Sequence, residues 1–411
     1  MTAPILRFKD HGRSYPDWVQ KKLKDCVTFS KGGSLSKSDL SPHGATPCLL
    51  YGELYTTYGE VTEAVINKTD STEDLVKSQM NDVILPMSGE TAEDIAKATC
   101  IKQEGVAYGG DLMVLRSKSL DGCFLSYSLN SINRRQISRI AQGKTVVHIN
   151  PSRVSDISIN VACLEEQQKI AAFFTALDEK IKLVENKLSK THLLFEALIE
   201  QVLDEKLIFS DAICAPVHWQ KILLKDICKK ISYGINAPAG EYNGCWKYIR
   251  ITDIDERTHK FNQSSPVSAD MDHDQKLLTK YKVQTGDLLF ARTGASVGKS
   301  YHYDQRDGNL VFAGFLIRCS LDLNKCNSYF IYLQTLTKRY SNWVKENSMR
   351  SGQPGLNSEQ YGNFELVLPS LGEQEKIASF FKAFDEKMCN LSLQLKVLKK
   401  QKQAFMQQMF V

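Results

Sequence analysis

The segment GASVGKS (residues 294–300) contains the residue types of a phosphate-binding loop. Such a loop cradles phosphate with backbone N–H groups, and it requires four residues between its glycines and a helix after its lysine. Here three residues separate the glycines, and the YHYD that follows (301–304) favours a strand or a turn. An enzyme acting on nucleotides through this loop is therefore the weakest hypothesis. Arg292 and Lys299 are better suited to approach a DNA phosphate or a guanine edge.

Two other patterns resemble catalytic sites without matching them. Three aspartates and a lysine in SADMDHDQK (268–276) suggest a metal-dependent nuclease, but acidic residues clustered in a loop are more typical of a solvated surface. These residues are Asp270, Asp272, Asp274 and Lys276. The segment NPSR (150–153) lacks the second proline and the aromatic residue of an adenine methyltransferase motif, and the eight histidines have no metal-ligand spacing. We predict no catalytic residue and no metal site.

Basic side chains offer the clearest chemistry, because Arg and Lys bind phosphates and, with Asn and Gln, read base edges. Residues 116–153 contain seven basic side chains and one acidic side chain. Two predicted helices, 124–140 and 328–346, carry basic residues near their C-terminal ends, and each precedes a polar loop containing glycine. Each cation could also be an ordinary solvated one. The candidates for DNA contact are Arg134, Arg135, Arg139, Lys144, Arg292, Lys299, Lys338, Arg339 and Arg350.

Two long helices are predicted to position these side chains, at residues 164–203 and 371–410. Their first 17 residues, LEEQQKIAAFFTALDEK and LGEQEKIASFFKAFDEK, agree at 12 places. Apolar residues recur in each at alternating spacings of four and three, which is the heptad seam of a coiled coil. The seam residues are Ile170, Phe174, Leu177, Ile181, Val184, Leu188, Ile377, Phe381, Phe384, Met388, Leu391 and Leu395. Thr191 and Lys402 interrupt the pattern.

Charged and polar residues beside the seam also recur in both copies. Solubility explains charge on such a face but not the same charges twice. We interpret them as anchors of the helix starts against the globular parts, and as a possible repeated docking surface for two identical partners. They are Glu166, Gln167, Lys169, Asp178 and Glu179, with Glu373, Gln374, Lys376, Asp385 and Glu386.

The globular parts repeat their landmarks, although they otherwise diverge. Leu-Lys-Asp begins five residues after Trp18 and again five residues after Trp219. A turn and a buried strand follow, NDVILPMSG (81–89) and GDLLFARTG (286–294). The chain is thus a tandem repeat of a globular domain and a long helix. The predicted boundaries are 1–163, 164–203, 204–370 and 371–411.

Composition limits the class of protein. No apolar run approaches the 18 or so residues of a membrane span, and the N-terminal segment is charged and interrupted by proline. We expect a cytoplasmic protein without membrane contact. None of the eleven cysteines forms a C-x-x-C pair and most lie in apolar runs, which favours buried reduced thiols over disulfides or zinc.

The duplicated helix opening, the Trp-to-Leu-Lys-Asp entry and GDLLFARTG closely resemble the DNA specificity subunit of type I restriction-modification enzymes, over essentially the whole chain. The resemblance implies an α+β fold: two mixed α/β target-recognition domains in tandem repeat, separated by two long helices that form an antiparallel coiled coil. Each domain then reads half of an asymmetric bipartite DNA site, and the helices set the unread spacer between the halves.

The resemblance also implies partners and cofactors. A subunit of this family has no catalysis of its own; it binds double-stranded DNA and two methyltransferase subunits, which methylate adenine with S-adenosylmethionine. Restriction subunits, which use ATP and Mg²⁺, can join the complex. No cofactor is then expected on this chain itself. A structural scaffold that dimerises through its coiled coil without binding DNA remains the alternative.

Overall fold

The computed structural model describes residues 4–73, 75–117, 119–143, 146–203, 219–270, 275–349 and 352–410. The chain forms two compact units. The first contains Met1–Asn186 and Ser392–Val411, and the second contains Lys187–Leu391. Each unit therefore combines one globular part with a segment of both long helices.

The long helices extend over Leu164–Leu203 and Leu371–Met409, in agreement with the sequence prediction. In the first unit the start of the first helix packs against the end of the second: the ring centroids of Phe174 and Phe410 lie 5.8 Å apart, and those of Phe173 and Phe405 lie 5.2 Å apart. In the second unit the end of the first helix packs against the start of the second. Within each unit the helix segments are therefore paired antiparallel, and the coiled coil fits the structure.

The globular part of the first unit contains two mixed sheets. One has five strands in the spatial order Val27–Lys31, Leu112–Ser117, Asp82–Pro86, Thr99–Ile101 and Val61–Thr62. The other has four, in the order Lys68–Thr69, Thr46–Leu49, Ala107–Tyr108 and Val76–Lys77. The predicted strand after Asn81 is confirmed: all five of its residues are buried, as expected of a central strand without polar alternation.

Shorter elements complete this unit. The remaining strands are Lys9–Asp10 with Arg13–Ser14, Val19–Lys22 with Ser158–Val161, and Ser88–Gly89 with Val147–His148. The helices, including one 3₁₀ turn, are Leu23–Cys26, Lys37–Asp39, Glu53–Thr56, Ala92–Ile95, Gly122–Asn130, Asn133–Ile140 and Pro151–Ser155. The end of the second long helix contributes Met406, Met409 and Phe410 to the core, so this core is not built from the globular part alone.

The second unit repeats the central sheet with four strands, in the order Cys228–Tyr233, Leu316–Leu321, Asp287–Ala291 and Ser300–His302. Its other pairs are Gln220–Leu223 with Glu365–Leu368, Ala239–Glu241 with Val267–Ala269, and Lys247–Ile249 with Leu310–Phe312. Its helices and 3₁₀ turns are Leu224–Ile227, Ile251–Asp253, Gln275–Lys280, Gly294–Ser296, Gln305–Asp307, Ser328–Gln334, Lys338–Ser348 and Ser358–Gly362.

The entry to each globular part also repeats. The ring of Trp18 packs edge-on against Phe124 at 5.7 Å, and that of Trp219 packs edge-on against Phe330 at 5.9 Å. The Leu-Lys-Asp segment then forms one helical turn in each unit. The repeated sequence landmark therefore marks a repeated packing contact.

The prediction of one continuous helix at 124–140 and at 328–346 was wrong. The first is split into Gly122–Asn130 and Asn133–Ile140, because Ser131 leaves the helical conformation and its hydroxyl donates to the carbonyl oxygen of Met406. The second is split before Thr337, whose hydroxyl oxygen caps the next helix by accepting from a backbone N–H. The local hydrogen bond of Thr337 competes in this way with a helical hydrogen bond.

No helix in the described part of the chain combines the length and apolar character that a membrane span requires.

Candidate nucleic-acid interface

Both units tie the start of a long helix to the globular part through the same glutamine. The side-chain oxygen of Gln167 accepts from the backbone N–H of Asp121 at 2.9 Å, and that of Gln374 accepts from the backbone N–H of Asn327 at 2.9 Å. Each amide nitrogen also donates to the carbonyl oxygen five positions earlier in the chain. Both side chains are buried, so these hydrogen bonds satisfy polar groups that water cannot reach.

A half-buried carboxylate in the first unit links both long helices to the globular part. Asp178 accepts from the hydroxyl of Tyr127 at 2.8 Å and forms an ion pair of 2.6 Å with Lys402. The ammonium of Lys402 also contacts Glu60 at 2.8 Å, and the side chain is only 14% exposed. Burial raises the pKa of Asp178, and the nearby Lys402 opposes that rise. Lys402, which interrupts the apolar seam, therefore forms a polar contact with two carboxylates at that position.

The second unit has an equivalent contact, but its lysine comes from a different element of the fold. Asp385 accepts from the hydroxyl of Tyr329 at 2.7 Å and pairs with Lys260 at 2.7 Å. Lys260 belongs to the globular part, whereas its counterpart in the first unit belongs to a long helix. The interpretation of the repeated charges as anchors fits these contacts.

A third anchor is seen at Glu166 in the first unit. Its carboxylate is fully buried; it accepts from the guanidinium of Arg7 at 2.7 Å and from the indole N–H of Trp18 at 3.0 Å. The hydrogen bond to Glu166 raises the pKa of Arg7. Because a buried charge needs a partner, this pair fixes the N-terminal segment against the helix start.

The helix Asn133–Ile140 presents a row of arginines in the first unit. It buries Ile137 and Asn133, while Arg134, Arg135 and Arg139 are exposed. Arg134 donates to the carbonyl oxygen of Glu93 at 3.0 Å, and within the described residues none of the three arginines forms a salt bridge. Their charge is therefore available for an anionic ligand.

Two of these arginines line a groove of about 780 Å³. Arg134 and Arg135 share it with Lys97, Lys399 and Lys402. Burial lowers the pKa of Lys97, a residue that the sequence analysis did not select. Arg139 lines a smaller hollow with the same two arginines. The groove and the hollow share Arg134 and Arg135, and basic side chains outnumber the carboxylates of Glu60, Asp94 and Glu93 that also line them.

In the second unit the predicted cations differ in availability. Lys299 is only 10% exposed; its ammonium donates to the carbonyl oxygen of Ile254 at 3.1 Å and lies 3.4 Å from Glu256. We therefore leave it out of the proposed interface. Arg339 pairs with Glu365 at 3.0 Å on the surface, and Lys338 is exposed at the start of its helix.

Arg292 has a different environment. Its guanidinium lies 5.0 Å from the ring centre of Tyr233 and 5.9 Å from that of Phe315. Its Nε atom is buried, and none of the described residues accepts a hydrogen bond from it. Sequence analysis missed both aromatic residues, although each stands next to a glycine at a strand end, a position typical of a backbone turn.

Other predicted residues are placed as follows. Lys144, Arg350, Asp272, Asp274 and the side chain of Lys276 lie outside the described residues. All twelve seam residues are buried or half-buried.

The loop after Thr293 forms a 3₁₀ turn followed by the strand Ser300–His302, which is not the helix that a phosphate-binding loop requires. Within the described ranges, no cluster of three His, Cys, Asp or Glu side chains could hold a metal ion.

Comparison with known proteins gives the context of this arrangement. The chain is 23% identical over 395 residues to the type I restriction enzyme EcoKI specificity subunit of Escherichia coli strain K12, covering 89% of this chain and 82% of the relative. It is 24% identical over 168 residues to the EcoBI specificity subunit of Escherichia coli, covering 40% and 34%. The crystal structure of the S subunit of a type I restriction-modification system from M. genitalium has the same fold, with a TM-score of 0.67, 16% identity and coverage of 100% and 99%.

The family model of the type I restriction modification DNA specificity domain matches residues 15–191 and 216–399. These two matches cover the two repeated halves, including both glutamine anchors. The resemblance found in the sequence is thereby confirmed, and the chain belongs to the type I restriction-modification DNA specificity family.

Proposed function

We propose that this chain is the non-catalytic subunit that selects the DNA sequence for a type I restriction-modification complex. Each unit reads one half of an asymmetric bipartite site on double-stranded DNA. Two methyltransferase subunits bind the chain and methylate adenine, and restriction subunits can join them to cleave unmethylated DNA. S-adenosylmethionine belongs to the methyltransferase subunits, and ATP with Mg²⁺ belongs to the restriction subunit, so this chain binds no cofactor.

One observation carries the proposal. The helix anchors Gln167 and Gln374 make the same contacts twice, while the cations on the two globular parts differ in number and position. Two unlike surfaces on equivalent scaffolds suit two unlike half-sites. In the first unit the surface is the arginine row with its groove, where unpaired guanidinium groups can bind phosphates and base edges.

Adenine methylation mapping tests the proposal. DNA is sequenced for methylation from a strain that expresses this chain with its cognate methyltransferase, and from a strain that expresses the methyltransferase alone. A bipartite motif with a fixed unread gap, present only with this chain, supports the proposal and supplies the target. Unchanged methylation, together with purified complex that binds specific and random DNA equally, contradicts it and favours a coiled-coil scaffold.

A further inference from the structure

The two units share a backbone frame at the end of the central strand. In the first unit, the N–H of Met87 donates to the carbonyl oxygen of Asp111 at 2.7 Å, and its own carbonyl oxygen accepts from the N–H of Ile149 at 3.0 Å. Met87 is buried, and its side chain belongs to the hydrophobic core. In this unit the position is therefore used for packing.

The second unit has the same two backbone hydrogen bonds, but the residue that makes them is an arginine. The N–H of Arg292 donates to the carbonyl oxygen of Phe315 at 3.0 Å, and its carbonyl oxygen accepts from the N–H of Leu356 at 2.9 Å. Arg292 thus stands where the first unit has Met87, and Phe315 stands where it has Asp111. Since the backbone contacts match, the change from methionine to arginine is not required by the fold.

Two exposed aromatic rings hold this arginine. Phe315 is 54% exposed and Tyr233 is 39% exposed, and the guanidinium lies within 6 Å of both ring centres. The hydroxyl of Tyr233 lies 3.2 Å from that of Ser358 and accepts from the N–H of the same residue at 3.1 Å, so its ring is fixed by the start of the helix Ser358–Gly362. Aromatic rings at this distance stabilise a guanidinium and restrict the orientation of its plane.

The charge of Arg292 is not neutralised within the described part of the chain, where it forms no salt bridge, and its Nε has no acceptor. Gln353 approaches the same loop, because a Cβ placed on Gly294, two residues after Arg292 in the chain, would come within 2.9 Å of the amide nitrogen of Gln353. The site therefore offers a planar cation in a fixed orientation, a second hydrogen-bonding side chain and an exposed apolar ring. A phosphate needs only the cation, whereas a base pair in the major groove can use all three.

We propose that Arg292 reads a guanine in the half-site bound by the second unit, with its two terminal nitrogens donating to O6 and N7 of the base. Tyr233 and Phe315 are positioning residues that fix the plane of the guanidinium. This inference rests on the proposed function, and it adds to it the identity of one base and the residue that selects it.

The test uses the assembled complex of this chain with its methyltransferase subunits and the motif found by methylation mapping. Each guanine of the motif is replaced in turn by 7-deazaguanine, which lacks the N7 acceptor but keeps its pairing with cytosine. The affinity of the wild-type complex is expected to fall about tenfold at one guanine, because one of two hydrogen bonds is lost.

The variant Arg292→Met gives the second unit the methionine that the first unit has at the equivalent position, Met87. We expect it to bind the normal motif about tenfold to a hundredfold more weakly and to lose nothing further when that one guanine is replaced. Arg257→Met, at an exposed arginine of the same unit, is the control for lost positive charge and should keep the full sensitivity to the replaced guanine. Phe315→Ser changes an exposed side chain and should reduce the sensitivity without preventing assembly.

The outcomes are separable. The loss of affinity caused by Arg292→Met is measured on the normal motif and on each motif with one guanine replaced. If this loss is the same on all of them, Arg292 contacts phosphate and the inference is wrong. It is also wrong if neither half of the motif contains a guanine. If the wild-type complex yields no motif at all, the proposed function itself fails. Assembly of each variant with the methyltransferase, followed by gel filtration, confirms that the measured complex is intact.

Discussion

The two units attach their globular parts to the long helices through the same contacts but complete those contacts differently. The glutamine anchors match closely, whereas Asp178 takes its lysine from a long helix and Asp385 takes its lysine from a globular part. The frame at Met87 and Arg292 has the same backbone hydrogen bonds and opposite side-chain chemistry. The glutamine contacts at the helix starts are therefore the same in both units, while other contacts of the helices and the residue at the strand end differ.

The largest expected difference concerns the buried Glu166. Replacing it with alanine leaves the guanidinium of Arg7 and the indole N–H of Trp18 without their acceptor. We expect the free energy of unfolding to fall by about 3 kcal/mol, since removing one partner of a buried pair leaves the other charge uncompensated. The matched change Glu373→Ala, at the half-buried equivalent in the second unit, should cost less than about 1 kcal/mol. Urea unfolding of the two variants measures this, and equal losses would show that Arg7 is not an anchor.

The next difference is a pH dependence that belongs to the second unit. His302 is buried beside Tyr329 and Tyr332, and burial lowers its pKa to about 3. The unfolded chain binds this proton near pH 6.5, so acidification below that pH favours unfolding until the folded pKa is reached. Between pH 7 and pH 5 we expect a loss of about 2 kcal/mol from this residue.

The variant His302→Gln retains a polar group that can bond to Ser328 but removes the titration. It should unfold with a weaker pH dependence than the wild type between pH 7 and pH 5, whatever its stability at pH 7. Thermal or urea unfolding followed at several pH values provides the measurement. An unchanged slope would assign the acid sensitivity to other groups.

A smaller difference is expected between the two lysines that pair with the equivalent aspartates. Lys402 contacts Asp178 and Glu60 and is largely buried, whereas Lys260 pairs with Asp385 and is 40% exposed. Lys402→Met should lower the free energy of unfolding by about 2 kcal/mol, because two carboxylates then lie together without a cation. Lys260→Met should cost less than about 1 kcal/mol, since solvent screens that pair. If urea unfolding shows similar losses of free energy for both variants, the two lysines contribute equally to stability and the expected difference is wrong.

The smallest expected effect concerns individual cations on the proposed DNA-binding surfaces. Arg135→Ala in the first unit removes a cation without a salt bridge and should weaken DNA binding several-fold for all sequences. The slope of log affinity against log salt concentration should fall by about one. Arg339→Ala in the second unit removes a cation already paired with Glu365 and should change the slope less. If a salt titration shows the same change of slope for both variants, both arginines contact DNA phosphates.

Sequence predicted the long helices well, because a heptad seam over forty residues is a strong periodic signal. It also predicted the buried strand after Asn81, where a turn residue precedes four apolar ones. It failed at Ser131, whose hydroxyl donates to a carbonyl oxygen of the second long helix, and at Thr337, whose hydroxyl caps the next helix, because the apolar pattern continues across both breaks. The candidate site was harder to predict, since the environments of Lys299 and Arg292 depend on residues more than twenty positions away in the chain.

Lys402 also bears on how the two helices choose their alignment. Apolar seams of regular period can slide past one another by seven residues and still bury their side chains. In the first unit such a slide would move Lys402 away from Asp178 and leave a largely buried ammonium and a half-buried carboxylate without each other as charged partners. One charged residue thus makes a single register the stable one, at some cost in apolar contact. Under the proposed function, in which the helices set the spacing between two half-sites, the accuracy of that spacing would depend on an ion pair as well as on helix length.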